Sequence, residues 1–209
     1  MTESIPIAQP RAHGVASVML DEATIQHRIA ELAAEMDEWY RPAPDHHPVP
    51  GHDDVPLLVG VLTGAVTFLT DLMRAMTVPL EIEFMAVSSY GAATRSSGVV
   101  RILKDLNHEI SGRRIVVVED IIDTGLTLQY LLDLLERRGP AEIRVVALLR
   151  KHDKPDAVPV AVDLVGFEIP DEFVVGYGLD YAGHYRNLPY VAILNPAVFD
   201  EPQPTHSEG

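Results

Sequence analysis

Apolar residues follow two rhythms along the chain. Between Asp21 and Trp39 they recur at Ile25, Ile29, Leu32, Met36 and Trp39. That is close to a 3.6-residue period and predicts an amphipathic helix with Asp21 placed to cap it. After residue 56 the pattern changes to short apolar runs separated by helical stretches. PLLVGVL (56–62), RRIVVVE (113–119) and EIRVVALL (142–149) read as strands covered on both faces. LEIEFMAVSSY (80–90) alternates as a strand, and VVRILKDL (99–106) supplies the second arm of a long hairpin. Residues 64–76 and 126–138 suit helices, the second ended by Gly139 and Pro140. Beyond Asp163 the apolar runs are short and broken by Pro and Gly, as in LVGFEIP, EFVVGYGLDY and YVAIL. Alternating β and α segments predict an α/β fold, a mostly parallel sheet covered on both faces. In such sheets ligands bind beyond the carboxyl ends of the strands.

The segments between these elements are polar. Residues 1–18 read as a flexible arm, and GAATRSSG (91–98) as a flexible loop of small residues. RPAPDHHPVPGHDDVP (41–56) contains five prolines and reads as an exposed insert. Its His46, His47 and His52 fit a solvated loop better than a metal site. The chain from Pro196 onward is polar, and residues 199–209 read as a frayed tail. At 209 residues the protein can bury one substantial core, which predicts a single domain over residues 19–198.

Composition narrows the possible functions. No apolar run approaches the roughly 18 residues of a membrane span, and residues 1–14 lack the apolar core of an export signal. Cysteine is absent, which excludes disulfides and thiolate metal sites. A cytoplasmic location is expected. The formal net charge of −15 argues against a nucleic-acid partner. A small phosphorylated ligand is compatible with that charge if backbone amides, local cations and a metal ion hold it.

VVVEDIIDTGLTLQYLL (116–132) concentrates the candidate chemistry. The turn DTGLT (123–127) joins a strand end to a helix start, where unpaired amides and the helix dipole favour an anion. Gly125 permits close backbone approach, Thr124 and Thr127 add hydroxyls, and Leu126 begins the helix. Neither a Walker loop nor a Rossmann fingerprint is present. Glu119 and Asp120 would repel phosphate, whereas ionised carboxylates accept well from vicinal hydroxyls. A sugar 5′-phosphate satisfies both halves. The plainer alternative is a capped helix preceded by exposed acids.

VVVEDIIDTGLTL resembles the phosphoribosyl-diphosphate signature of the type I phosphoribosyltransferases. LVGVLTGA (58–65), FMAVSSYGAATRSSGVVRILKDL (84–106), LLRK (148–151) and VGFEIPDEFVVGYGLDYAGHYRNLPYVAIL (165–194) resemble the hypoxanthine-guanine branch. The likeness covers roughly residues 20–198. It implies a twisted, mostly parallel sheet flanked by helices, under a small hood built from N- and C-terminal segments that include 164–195. It also implies magnesium-dependent transfer of 5-phosphoribosyl from phosphoribosyl diphosphate to N9 of hypoxanthine or guanine, giving IMP or GMP and pyrophosphate. A homo-oligomer, dimer or tetramer, is expected. Xanthine preference, or a non-catalytic sensor of phosphoribosyl diphosphate, are the alternatives.

The resemblance implies a role for each residue. Asp123 is the candidate base beside purine N7; it could also cap the following helix. Glu119 and Asp120 hold the ribose hydroxyls directly or through metal and water. Lys151 donates to the 6-oxo group, though a lysine after a strand is more often a solvated charge. Phe173 stacks on the base, unless it packs in the core, and the Val174 carbonyl accepts from the base edge. Asp180, beside the purine, joins Glu119 and Asp120 as a metal ligand, and Arg186 contacts pyrophosphate. Leu62, Thr63 and Gly64 form the pyrophosphate loop, with a cis peptide before Thr63, which stands where many relatives carry lysine. Ser89 and Tyr90 begin a lid that excludes water.

Overall fold

The computed structural model describes residues 14–41, 55–89, 100–152 and 154–200. In chain order the elements are β1 (Val15–Leu20), α1 (Glu22–Tyr40), β2 (Leu57–Leu62), α2 (Ala65–Ala75), β3 (Glu81–Ser89), β4 (Val100–Lys104) and β5 (Arg114–Ile122). There follow α3 (Leu126–Glu136), β6 (Glu142–Lys151), β7 (Leu164–Ile169), β8 (Val174–Val175), β9 (Val191–Leu194) and a 3₁₀ turn at Pro196–Asp200. The main sheet has the order β4-β3-β2-β5-β6-β7. Its neighbours are parallel except the β3–β4 hairpin at the edge.

The continuous apolar runs occupy the sheet centre because successive side chains there enter different cores. Val116 and Val118 of β5 pack with Ile25, Ile29 and Leu32 of α1 and Phe68, Leu69 and Leu72 of α2. Ile115 and Val117 point the other way, onto Leu128, Leu131 and Leu135 of α3. Asp21 caps α1, its Oδ1 accepting from the Thr24 amide at 2.8 Å. The α1 stripe ends on buried Tyr40, while Trp39 lies partly buried with the Arg144 guanidinium over its ring at 4.2 Å.

A second sheet, β1-β9-β8, forms the hood. Here the reading of residues 15–18 as part of a flexible arm is corrected: they belong to β1, antiparallel to β9. Ala16, Ser17 and Val18 are exposed and held by backbone pairing, while Met19 and Leu20, partly buried, pack on the core, so the strand's pattern shows no alternation. Pro196–Asp200, at the start of the predicted tail, is a 3₁₀ turn. Residues 1–13, the insert from 42 to 54 with its three histidines, the loop 91–98 with Tyr90 before it, and residues 201–209 lie outside the described residues. No helix among the described residues is long and apolar enough to cross a membrane.

Candidate active site

β5 carries the first part of the site. It runs on to Ile122, so Glu119 and Asp120 lie within its last turns of pleat rather than beyond its end. Glu119 is 6% exposed. Burial, and then the adjacent Asp120 charge, push its carboxyl well above the usual carboxylate range. Burial raises Asp120 to about 6; the Ile121 and Asp120 amides and Arg186 pull it down, and Asp180 pushes it up. Its Oδ1 accepts from the Ile121 amide at 2.9 Å. The β2–α2 turn abuts its other oxygen. A Cβ on Gly64 would stand 1.5 Å from Asp120 Oδ2, so only glycine fits there. The Leu62–Thr63 peptide in this turn is cis, as the resemblance implied.

The β5–α3 turn supplies the second part. Gly125 has φ +82° and forms the N-cap of α3 with no side-chain cap hydrogen bond. The amides at the start of that helix therefore face outward without a side-chain acceptor, as an anion site requires. Val158 crosses behind the turn: its amide donates to the Thr124 carbonyl at 2.8 Å. Its own carbonyl would lie 2.9 Å from a Cβ on Gly125. Thr124 and Thr127 are partly exposed beside these amides, and the Leu126 side chain is exposed.

Asp123 does not cap the helix. It belongs to a ring of four charges at or beyond the ends of β5, β6 and β7. Lys151 Nζ lies 3.0 Å from Asp171 Oδ1 and 3.3 Å from Asp123 Oδ1. Lys154 Nζ lies 2.8 Å from Asp123 Oδ1 and 3.2 Å from Asp171 Oδ1. Lys151 is therefore not the solvated charge its position in the sequence suggests, its side chain being 11% exposed. Asp123, and then Asp171, raise Lys154 above the ordinary lysine value. Lys151, and then Lys154, lower Asp171 below the ordinary aspartate value. Lys154 and Asp171 are the residues that the sequence reading missed. Asp171 stood within the EIPDEF block, but Lys154 sits in a polar stretch that gives no sign of convergence.

The hood supplies the rest. Phe173 is 44% exposed and meets Tyr181 edge to face at 5.7 Å between ring centres, so it is not a core residue. Val174 is buried in β8 opposite Ile193. Arg186 donates from Nη1 to the Gly178 carbonyl at 2.6 Å, and its Nη2 lies 2.6 Å from Asp180 Oδ1. Asp180 Oδ2 accepts from the Gly183 amide at 2.8 Å. The expected trio of metal ligands is not assembled, because both oxygens of Asp180 are engaged within its own loop. No group of three or more acidic or histidine side chains close enough to hold a metal is present among the described residues. Glu119 and Asp120 alone still suit magnesium. They are hard oxygen donors, close together and charged at a cost, and magnesium commonly takes one or two carboxylates plus substrate phosphates. Ser89 ends β3, next to Tyr90 outside the described residues.

Comparison with known proteins gives the same picture. Residues 20–182 match the phosphoribosyl transferase domain. The chain is 52% identical over 189 residues to hypoxanthine-guanine phosphoribosyltransferase of Mycobacterium avium, covering 90% of this chain and 89% of the relative. It is 47% identical over 190 residues to that of Bacillus subtilis strain 168, covering 90% and 98%. A solved hypoxanthine phosphoribosyltransferase from Staphylococcus aureus shares 39% identity at a TM-score of 0.78, covering 89% of this chain and 95% of that one. The enzyme from Trypanosoma cruzi in complex with the product IMP shares 39% identity at a TM-score of 0.79, covering 90% and 100%. From the buried acids of β5 to the hood, this chain belongs to the phosphoribosyl transferase domain family, in its hypoxanthine-guanine branch.

Proposed function

We propose that the protein transfers 5-phosphoribosyl from phosphoribosyl diphosphate to N9 of hypoxanthine or guanine, forming IMP or GMP and releasing pyrophosphate. The observation that carries this reading is the contact of Asp120 with the Gly64 backbone. It brings a carboxylate pair suited to ribose hydroxyls against a backbone turn suited to pyrophosphate, one short turn before the uncapped start of α3. In this reading Glu119 and Asp120 hold the ribose. The amides of 124–127, with the Thr124 and Thr127 hydroxyls, hold the 5′-phosphate. The amides at Thr63 and Gly64, with Arg186, hold the pyrophosphate; Thr63 contributes backbone without a side-chain charge. Glu119 and Asp120 would hold a magnesium ion, which would supply charge neutralisation for the leaving group.

The purine enters at the charge ring. Its face stacks on exposed Phe173, and the Val174 carbonyl and Asp180 loop border its edge. The Lys151–Asp123 contact, the longest of the four in the ring, opens as Lys151 donates to the 6-oxo oxygen and Asp123 accepts from N7–H. As N9 attacks C1′ and the bond to pyrophosphate breaks, Asp123 receives the purine proton. Asp171 holds Lys151 on one side while Lys154 holds Asp123 on the other. The segment from Ser89 and Tyr90 forms the lid. The protein acts in the cytoplasm as a homo-oligomer, dimer or tetramer, with neither nucleic acid nor membrane as partner. A Trypanosoma cruzi relative has been studied for the role of its C-terminal region in oligomeric state and activity.

Steady-state assays with hypoxanthine, guanine and xanthine test the transfer, each with and without magnesium. Asp123→Asn should lower kcat by about a hundredfold or more, the scale of a lost general base, with diphosphate-substrate binding nearly unchanged. An unchanged kcat would remove Asp123 from the mechanism.

A further inference from the structure

We infer that Tyr177 is a positioning residue, which through Asp71 fixes the hood loop against the pyrophosphate-binding turn. The inference rests on the transferase reading above for the identity of that turn. Tyr177 is 3% exposed, and its backbone lies in the left-handed region at φ +51°. That conformation is costly for an aromatic residue and persists only where the surroundings impose it. Here the restraint is at the far end of the side chain. The Tyr177 hydroxyl donates to Asp71 Oδ2 of α2 at 2.6 Å, and Gln26 Nε2 of α1 donates to the same oxygen at 2.7 Å. One carboxylate oxygen thus ties both helices to the hood.

The next residue shows what the tie positions. Gly178 lies so close to the β2–α2 turn that a Cβ would fall 2.2 Å from the Gly64 carbonyl oxygen and 3.3 Å from Thr67 Oγ1. Gly64 is consequently held from two sides, its Cα against Asp120 Oδ2 and its carbonyl against Gly178. The same Gly178 carries Arg186: its carbonyl accepts from Arg186 Nη1 at 2.6 Å, and its amide donates to the Arg186 carbonyl at 3.0 Å. Tyr177 therefore sits at the pivot of the two groups assigned to pyrophosphate. Its hydroxyl partners are Asp71 and Gln26, neither of which is assigned to the purine, the ribose or the pyrophosphate. α2, which begins at this turn, also supplies Asp71, so turn and anchor form one rigid unit.

Tyr177→Phe removes the hydroxyl and keeps the ring. KM for phosphoribosyl diphosphate should rise about tenfold, the scale of one lost charge-assisted hydrogen bond. KM for hypoxanthine and kcat should stay within about twofold. Amide hydrogen exchange over residues 62–66 should quicken in the ligand-free protein, a readout independent of turnover. Asp71→Leu should reproduce both effects, and the double variant should add little. Asp71→Asn keeps an acceptor oxygen and should restore most of the diphosphate affinity. A folded Tyr177→Phe protein with parental exchange at 62–66 overturns the inference, as does an equal rise in both KM values. If the parent chain itself makes no pyrophosphate from phosphoribosyl diphosphate and hypoxanthine, the transferase reading fails, while the exchange measurement still decides whether Tyr177 fixes the turn.

Discussion

Lys154 shows how far a single residue can depart from its appearance in the sequence. A lysine between Asp153 and Pro155 reads as a solvated charge, yet its side chain is 16% exposed and reaches Asp123 at 2.8 Å. Without it, Lys151 would be the sole cation shared by two carboxylates, and both acids would draw it away from the base. Lys154→Met keeps most of the apolar stem and removes the charge. KM for hypoxanthine should rise about three- to tenfold, the effect of one weakened charged hydrogen bond, with KM for phosphoribosyl diphosphate unchanged. Equal KM values for the base in variant and parent would return Lys154 to the surface. The other residues were legible to different degrees. Glu119, Asp120 and Gly125 announced themselves by type and spacing. The ring that occupies Asp123 did not, because it depends on β6 and β7 ending side by side, a register that sequence order does not contain.

At the level of elements, what could be read was what burial produces. β2, β5 and β6 are covered on both faces, so their unbroken apolar runs marked them, and α1 declared itself through its stripe and Asp21. β1 escaped notice because Ala16, Ser17 and Val18 are exposed and held by backbone pairing, which leaves no trace in side-chain type. The two residues of β8 are too few to show a period at all. Strand ends were also misplaced: β5 continues through its acids, since pairing with β6 extends to Ile122 and Arg150. That extension brings the strand directly into the Asp123–Leu126 turn, with no slack between them. Gly125 absorbs the change of direction at φ +82° under the Val158 carbonyl. Gly125→Ala would require a left-handed alanine, which costs about 1–2 kcal/mol before any clash is counted. Its melting temperature should drop by roughly 2–8 °C for a chain of this size. Affinity for IMP should fall, because the same shift misdirects the amides of the phosphate site. Parental IMP binding, measured calorimetrically, would show that the turn tolerates a side chain and does not cradle phosphate.

Across the whole molecule the balance of charge and stability turns on the buried acids. The folded chain keeps a proton on Asp120 up to about pH 6, whereas the unfolded chain releases it near 3.8, and Glu119 is shifted in the same direction. Between those values the folded state binds more protons than the unfolded state, so Asp120's contribution to stability is present at low pH and is lost as pH rises through about 6, while Glu119 acts in the same direction. The whole chain, at a formal net charge of −15, adds self-repulsion at neutral pH. A difference between variants separates the two. Asp120→Asn removes one charge from the pair, so melting temperature should fall less between pH 5 and pH 8 than in the parent. At pH 8 the variant should be the more stable protein by roughly a few degrees, although transfer activity falls. Magnesium with phosphoribosyl diphosphate should stabilise the parent more at pH 8 than at pH 5, since protons compete for the same oxygens. That advantage should shrink in Asp120→Asn. If parent and variant melt with the same pH slope, the acids are not held at a cost in the folded chain. The expectation that they exchange a proton for substrate-bound magnesium would then be lost as well.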